Sequence, residues 1–193
     1  MAARTDLRID ILEGISEPDL DRYAKVSIHF TSAEKYEVRE REGGGFALGL
    51  CALPESISTD FDAHEHPTEW VRWDLRNAAM FEAHLGGRLV GGAVVVRDMP
   101  KLNLLAARKD LAVLWDLRVA PEFRRQKIGA SLLREASRWA RKRRCRSIKV
   151  ESQNDNVRAC DFYRKHGFRL AQAEQGVYRA FPDKVQLIWE RDL

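Results

Sequence analysis

A basic turn that leads from a strand into a long helix is the first segment of the sequence that could do chemistry. It spans Val119–Ala130, reads V-A-P-E-F-R-R-Q-K-I-G-A and carries Arg124, Arg125 and Lys127. The first amides of a helix have no intrahelical partner and lie at the positive end of its dipole, so they bind anions such as pyrophosphate. Gly129 lets a phosphate approach the backbone closely, and the basic side chains add positive charge. We therefore predict an anion site where this helix begins.

A second segment, Glu151–Phe168, places polar groups on one face of another helix. Asn156 and Tyr163 are seven residues apart, which in a helix is about 10.5 Å along the axis on the same face. One side chain can hold an extended ligand while the other reaches its far end. Gly167 is typical of a residue that ends a helix.

The two segments together resemble the GNAT superfamily of N-acetyltransferases. The basic turn is similar to the superfamily's pyrophosphate loop, Q/R-x-x-G-x-G/A, with Lys127 in place of the first glycine. The second segment matches N-x-x-A-x-x-[LF]-Y-x-K-x-G-F without a mismatch. The resemblance implies acetyl-CoA as cosubstrate, direct transfer to an amine in a ternary complex, and Tyr163 as general acid on the departing thiolate. It assigns cofactor contacts to the backbone of Leu117, Arg118 and Val119, to the turn residues Arg124, Arg125, Gln126, Lys127, Ile128, Gly129 and Ala130, and to Asn156, Ala159 and Phe162.

The general base is left open between two carboxylates, Asp116 and Glu151, on strands that frame the expected cofactor slot. A base or a desolvated site is needed because an amine of pKa about 10.4 costs about 4.6 kcal/mol to deprotonate at pH 7. Asp116 alternates with Trp115 and Leu117, so we expect it to point away from their face. Glu151, at the end of its strand, could equally pair with a nearby arginine or cap a turn.

A finer likeness concerns the acceptor. Gln153–Tyr163, the pair Val177-Tyr178 and the ending Val185-x-x-x-Trp189 are similar to streptothricin acetyltransferases. This likeness implies a small-molecule primary amine on a cationic antibiotic as partner. Four acidic residues could attract such a cation, although an ordinary solvated loop explains them more simply; they are Asp60, Asp62, Glu65 and Glu69. Two other classes stay open, a protein or peptide amine acetyltransferase and a noncatalytic acyl-CoA-binding regulator.

Three other groups of reactive residues point to no further chemistry. Cys160 has no histidine at a suitable spacing, and we interpret it as a buried, inert thiol. The string Asp62–His66 has no second cluster to complete a metal site, so we predict an exposed polar loop and no metal. The basic run Arg141–Arg146 falls in the last turn of a helix, where the dipole favours cations, and we do not expect nucleic acid as a partner.

The elements that must position these residues follow from hydrophobic periodicity. The predicted strands and helices are a strand alternating through Leu7, Ile9 and Ile11, a helix capped near Ser16 or Asp19, a hairpin Met80–Leu85 and Leu89–Val96 with the turn Gly86-Gly87-Arg88, a strand Leu111–Val119, a helix Ile128–Arg144, a strand Ser147–Glu151, a helix Asn156–His166, and strands Phe168–Ala173 and Val185–Trp189. Tyr36–Gly45 and Ser58–Thr68 are predicted loops. The order indicates an α/β (α+β) fold, a GNAT-like mixed, mostly antiparallel twisted sheet flanked by helices. We expect a single acyl-CoA N-acyltransferase domain over 1–193, with its cofactor-binding core at 111–168.

Composition sets the outer limits of these interpretations. The 193 residues are 45% hydrophobic and 32% charged, too apolar for a disordered chain and too polar for a membrane bundle. A formal charge of +4 suits an anionic partner. Three cysteines without a C-x-x-C pair favour a reducing cytoplasm. Residues 1–10 carry Arg4, Asp6, Arg8 and Asp10 where an export signal needs apolar residues. We expect a cytoplasmic protein with no membrane partner; the oligomeric state, a homodimer included, is left open.

Overall fold

The computed structural model describes residues 6–100 and 102–193. Arg4, part of the charged stretch that argued against an export signal, lies outside the described residues. Within them the chain forms nine strands and three α-helices. In chain order these are β1 (Leu7–Glu13), α1 (Glu17–Tyr23), β2 (Phe30–Glu40), β3 (Phe46–Thr59), β4 (Ala78–Leu85), β5 (Arg88–Arg97), β6 (Leu111–Val119), α2 (Ile128–Lys142), β7 (Ser147–Gln153), α3 (Val157–Lys165), β8 (Arg169–Gln175) and β9 (Val185–Asp192).

The chain divides into two compact units, each assembled from segments that are distant in sequence. The first comprises the described residues up to Ile28, Asp60–Ile148 and Leu193; the second comprises His29–Thr59 and Lys149–Asp192. The expectation of one functional domain over 1–193, with its core at 111–168, stays a prediction. In the described part of the chain, no helix is long and apolar enough to cross a membrane.

The first unit is built on four antiparallel strands in the order β1-β4-β5-β6. The predicted hairpin is confirmed: Gly86 and Gly87 join β4 to β5 with φ of 57° and 79°, the left-handed conformation that a two-residue hairpin turn requires. The predicted apolar stripe of α2 is also confirmed, because every one of its members is buried; they are Ile128, Leu132, Leu133, Ala136, Trp139 and Ala140.

Two glycines of β5 allow helices to pack closely within this unit. A Cβ on Gly91 would lie 2.9 Å from the carbonyl oxygen of Arg118 and 3.3 Å from Ile128 at the start of α2. A Cβ on Gly92 would overlap the ring of Tyr23, the last residue of α1. A strand glycine often marks such a close approach. These contacts bring the beginning of α2 and the end of α1 against the central strands.

The second unit corrects the prediction of a loop at 36–45. The residues from Phe30 to Glu40 form β2, which pairs antiparallel with β3 with one irregularity between Ser32 and Glu34, and only 41–45 form the turn. Tyr36 is buried; its N–H donates to the carbonyl of Asn154 at 2.8 Å, and its carbonyl accepts from the Asn154 side chain at 2.9 Å. These long-range bonds stabilise a strand whose charged residues indicated a loop. The prediction of a loop over Ser58–Thr68 is likewise wrong at both ends, because β3 continues to Thr59 and a 3-10 helix begins at Pro67.

The predicted ends of α3, also in the second unit, are confirmed. The Asn156 side chain accepts from the backbone N–H of Ala159 at 3.2 Å, which is a helix N-cap. Gly167 ends the helix with φ of 81°, the left-handed conformation common after a helix. Strands β8 and β9 pair antiparallel, and β9 lies beside β7.

Candidate active site

The start of α2 has the features of an anion cradle. Within the described residues, the backbone N–H groups of 125–130 donate to no protein group. Arg125, Gln126 and Lys127 are exposed beside them. Ile128, by contrast, is buried and anchors the first helical turn. Six consecutive amides at the positive end of a 15-residue helix can bind a diphosphate through charge-assisted hydrogen bonds.

Lys127, which replaces the first glycine of the loop motif, adopts a glycine-like conformation. Its φ and ψ are 65° and 9°, and Arg125 is also left-handed with φ of 66°. A non-glycine residue pays about 1–2 kcal/mol for this conformation. Lys127 therefore adopts a backbone conformation that glycine would adopt without strain. Its side chain adds a positive charge that glycine lacks.

Replacing Lys127 separates the contribution of its charge from that of its backbone. We expect Lys127→Gly to be more stable than Lys127→Ala by about 1 kcal/mol, since only glycine adopts this φ without strain. Both variants lose the cation, so both should bind acetyl-CoA about fivefold more weakly, the equivalent of about 1 kcal/mol. Thermal unfolding and calorimetric titration measure the two effects. Equal stability of the two variants would show that the loop does not hold Lys127 left-handed.

The cradle is fastened to the central strands. The Arg124 guanidinium donates from Nε to the carbonyl of Val119 at 3.0 Å, and the N–H of Ala120 donates to the carbonyl of Val90 at 2.9 Å. Arg124 thus uses one donor to hold the turn, although the sequence predicted it only as a source of charge for the phosphates. Its place in the cofactor contacts stays a prediction.

Strand β6 brings the predicted backbone contacts Leu117, Arg118 and Val119 to the same unit as the cradle. Its register with β5 shifts at Trp115, which is a β-bulge directly before Asp116. The prediction that the side chains of Trp115 and Asp116 point to opposite faces of the strand is wrong. Trp115 stacks on Trp70 with ring centroids 5.3 Å apart, and the Trp70 ring lies 6.0 Å from the Tyr23 ring. The Tyr23 hydroxyl donates to Asp116. The side chains of Trp115 and Asp116 therefore lie on the same side of β6.

The side chain of Arg118 forms a buried ion-pair network that sequence analysis missed. It is 2% exposed and donates to Asp116 from Nε at 2.9 Å and from Nη2 at 2.8 Å. It also donates to Asp62 at 2.8 and 3.0 Å and to the carbonyl of Val26 at 3.0 Å. The Tyr23 ring lies under the guanidinium at 4.8 Å. Asp116 and Arg118 are two residues apart on one strand, and this spacing could have indicated that their side chains share a face and form a pair. No pattern in the sequence indicates that Asp62 joins them.

The charges of this network alter two pKa values. Burial opposes the charge of Arg118, but the carboxylates of Asp116 and Asp62 outweigh that cost and its pKa is raised. Burial, together with the Asp116 carboxylate, raises the pKa of the Tyr23 hydroxyl. Asp116 accepts from the Tyr23 hydroxyl at 2.6 Å in addition to Arg118, so both of its carboxylate oxygens accept hydrogen bonds from the protein. As a general base it stays a prediction.

Tyr163, the predicted general acid, lies on α3 in the second unit. It is 6% exposed, and its ring packs edge-on against Phe162 and Phe168 at 5.5 Å each. Phe162 and Ala159 are half-buried on the same helix. Asn156 already caps the helix with its side-chain oxygen, so its Nδ2 group is the part of the side chain best suited to contact a ligand. Their catalytic and cofactor roles remain predictions.

Glu151, the other candidate base, is held by two neutral donors of the second unit. Its Oε1 accepts from the Tyr178 hydroxyl at 2.6 Å and its Oε2 from Gln186 at 2.8 Å. Gln153 in turn donates to the Tyr178 oxygen at 3.1 Å. Burial, followed by the Glu151 charge, raises the pKa of Tyr178. Tyr178 belonged to the finer sequence likeness, but its contact with Glu151 across 27 residues could not be predicted.

Two minor sequence expectations have clear outcomes. The predicted burial of Cys160 is confirmed, and burial raises the pKa of its thiol to about 12; an inert thiol stays a prediction. In the segment 62–66, Ala63, His64 and Glu65 are exposed as predicted, but Asp62 turns inward to Arg118. Among residues 6–100 and 102–193, no three His, Cys, Asp or Glu side chains are grouped to hold a metal ion.

The predicted site residues therefore fall into two sets. The first unit holds the cradle residues 124–130, the strand residues Leu117–Val119 and Asp116. The second unit holds Glu151, Asn156, Ala159, Phe162 and Tyr163. The contacts reported above are those within each unit.

Two curated relatives of this chain are streptothricin acetyltransferases. Streptothricin acetyltransferase A from Bacillus subtilis (strain 168) is 31% identical over 80 residues, which are 40% of this chain and 46% of that protein. Streptothricin acetyltransferase from Escherichia coli is 30% identical over 106 residues, 55% of this chain and 56% of that protein. The chain thus aligns with about half the length of each relative.

Solved structures match along nearly the whole chain. A nourseothricin acetyltransferase has a TM-score of 0.75 at 22% identity, with 97% of this chain and 99% of that chain covered. A candidate streptothricin acetyltransferase from Bacillus anthracis str. Ames, solved with acetyl coenzyme A, has a TM-score of 0.78 at 23% identity, with 97% and 100% covered. These matches confirm the predicted fold class, a mixed, mostly antiparallel sheet flanked by helices.

A family-wide match spans both motifs from which the resemblance was drawn. The sequence model of the acetyltransferase (GNAT) family matches residues 50–168, a range that includes the cradle at the start of α2 and the whole of α3. Because that range is more than half of the sequence, this chain belongs to the GNAT family of acetyltransferases.

Proposed function

We propose that this protein is an acetyl-CoA-dependent N-acetyltransferase that acetylates a primary amine of a small cationic molecule of the streptothricin type. The observation that carries the cofactor half of the proposal is the row of unpaired amides at 125–130. The left-handed Lys127 and the exposed Arg125 beside those amides fit a diphosphate in shape and charge. Acetyl-CoA supplies the activated acetyl thioester.

Binding of the cofactor uses three groups of residues. The amides of 125–130 and the side chains of Arg125 and Lys127 hold the pyrophosphate. The backbone of Leu117–Val119 adds strand-like hydrogen bonds along the pantetheine arm. The Asn156 amide, with Ala159 and Phe162, contacts the arm from α3.

Catalysis needs a proton removed from the amine and a proton delivered to the leaving thiolate. Tyr163 donates its phenolic proton to the sulfur, because a tyrosine hydroxyl is a proton donor at neutral pH. The amine attacks the thioester directly in a ternary complex. Asp116 and Glu151 are the two carboxylates that can accept the ammonium proton; Asp116 accepts from the Arg118 cation, and Glu151 accepts from Tyr178 and Gln186.

The acceptor class rests on the names of the curated relatives and on charge. Both relatives are streptothricin acetyltransferases. The segment that precedes β4 is acidic, with Asp60, Glu65 and Glu69 exposed on it. An exposed acidic segment attracts a cationic acceptor and raises its rate of encounter.

A thiol-release assay with acetyl-CoA and a panel of amines tests the proposal. We expect streptothricin to be acetylated with kcat/KM of at least about 10⁴ M⁻¹s⁻¹, and spermidine, kanamycin and an amino-terminal peptide to react at least about tenfold more slowly. A peptide as the best substrate would instead assign a protein acetyltransferase. Stabilisation by acetyl-CoA without thiol release from any amine would indicate a noncatalytic regulator.

A further inference from the structure

A single tight turn follows Asp60 in the first unit. The N–H groups of His64 and Glu65 both donate to the carbonyl of Phe61, at 2.9 and 3.0 Å. The N–H of Asp62 donates to the Asp60 side chain at 3.1 Å. We call residues 61–65 the acidic turn. These bonds are local, and they define the shape of the turn.

The side chain of Asp62 joins the acidic turn to β6. Asp62 accepts from Nη1 and Nη2 of Arg118 at 2.8 and 3.0 Å, and its side chain is 14% exposed. The bond is bidentate and largely desolvated, which is the geometry in which an arginine orients a carboxylate most firmly. Arg118 lies in the stretch Leu117–Val119 whose backbone is expected to bind the pantetheine arm.

The other contacts of Arg118 hold its guanidinium independently of the turn. Asp116 accepts from Nε and Nη2 on the opposite edge, the carbonyl of Val26 accepts from Nη1, and the Tyr23 ring lies beneath the plane. All five N–H donors can thus be accounted for. These contacts hold the Arg118 side chain in one position on β6, and the acidic turn binds to it through Asp62.

We propose that Arg118 is a positioning residue, which through Asp62 holds the acidic turn against β6 so that the turn forms part of the binding surface for the acceptor amine. The inference rests on the proposed function and deepens it. It also assigns Asp62 a role other than contact with the acceptor, because the Asp62 carboxylate is used to hold the turn on Arg118.

One carboxylate of the acidic turn is available to a cationic acceptor. Asp62 is paired with Arg118, whereas Glu65 interacts electrostatically with Arg72 but makes no direct side-chain hydrogen bond or ion pair within the part of the chain that the structure describes. Partial desolvation raises the pKa of Glu65 although the residue as a whole is exposed. Docking of the turn therefore presents Glu65 at a fixed place beside β6.

Asp62→Asn tests the proposal, with Asp74→Asn as a matched control. Asp74 also accepts from an arginine at two points, Nε and Nη2 of Arg76 at 2.8 and 2.6 Å, but that pair is exposed. Both variants remove one negative charge from the same segment. For Asp62→Asn we expect the KM for streptothricin to rise about tenfold, the equivalent of about 1.4 kcal/mol, with the acetyl-CoA Kd within about twofold of the parent value. Asp74→Asn should leave both constants near those of the parent.

Amide hydrogen exchange supplies a readout that does not depend on turnover. The N–H groups of His64 and Glu65 should exchange about tenfold faster in Asp62→Asn than in Asp74→Asn, and Asp62→Glu should recover part of the protection. An unchanged KM for streptothricin, an equal loss of acetyl-CoA affinity, or unchanged exchange would each overturn the proposal. If the parent acetylates no amine, the proposed function fails, and the exchange comparison alone still decides whether Arg118 holds the turn.

Discussion

Replacing Tyr163 by phenylalanine should lower kcat about 10²–10³-fold while acetyl-CoA binds as before. Proton transfer by a positioned acid contributes about 10²–10⁴-fold to a rate, and the phenol is the group proposed to protonate the leaving thiolate. Phenylalanine keeps the ring, so the edge-on contacts with Phe162 and Phe168 at 5.5 Å should be retained. Steady-state thiol release and calorimetric titration with acetyl-CoA measure the two quantities.

Tyr36→Phe is a suitable control for this experiment. Tyr36 is also a buried tyrosine of the second unit, and its hydroxyl donates to Asp161 of α3 at 2.7 Å. It therefore tests the loss of a tyrosine hydroxyl that is bonded to the same helix and has no proposed role in proton transfer. Its kcat should stay within about threefold of the parent, a barrier change of less than about 1 kcal/mol. A Tyr163→Phe variant with the same kcat as Tyr36→Phe would remove Tyr163 from the mechanism.

Removing the charge of Arg118 should destabilise the protein by about 3–5 kcal/mol. Arg118→Met leaves the Asp116 and Asp62 carboxylates desolvated without their cation, and breaking a buried ion pair by deleting one partner costs about this much. Since small proteins unfold with only about 5–15 kcal/mol, the loss would be a large fraction of the total. Urea unfolding followed by circular dichroism measures it.

The effect should depend on burial rather than on the removal of an arginine. Arg76→Met deletes a cation that is also bidentate to an aspartate, Asp74, but its side chain is 88% exposed; we expect a much smaller loss because water replaces the pair. If Arg118→Met does not fold, Arg118→Lys keeps the charge but loses the bidentate geometry and should fall between the two. A loss for Arg118→Met no larger than for Arg76→Met would contradict the importance of the buried network.

Much of the cofactor half of the site follows from local sequence. The cradle is formed by consecutive residues, and its helix ends, apolar stripe and preceding strand all lie within 111–142, where short-range periodicity is a reliable guide. The same holds for α3, whose N-cap at Asn156 and terminating Gly167 depend on hydrogen bonds between residues a few positions apart. Lys127 shows the limit of such reasoning, because only the structure reveals that it adopts the left-handed conformation of a glycine.

The hairpin β2–β3 shows why charged segments were predicted less well. The residues from Tyr36 to Glu40 are rich in charge and carry no clear apolar alternation, so they indicated a loop. Pairing with 46–50 and the bonds between Tyr36 and Asn154, 118 residues away, supply the stabilisation that makes them a strand. Local propensity is a weak prior where tertiary hydrogen bonds compete with it.

The sequence by itself determined the family, the expected cofactor and the residues of the anion cradle, because those features are coded by contiguous motifs whose geometry is local. Only the tertiary structure decided the partners of the buried charges: Tyr23 meets Asp116 across 93 residues and Arg118 meets Asp62 across 56. A carboxylate in a sequence has the same appearance whether it faces water, a substrate or an arginine. Its role is set by what folding places beside it, since desolvation and pairing, not residue type, determine the energy of a charge.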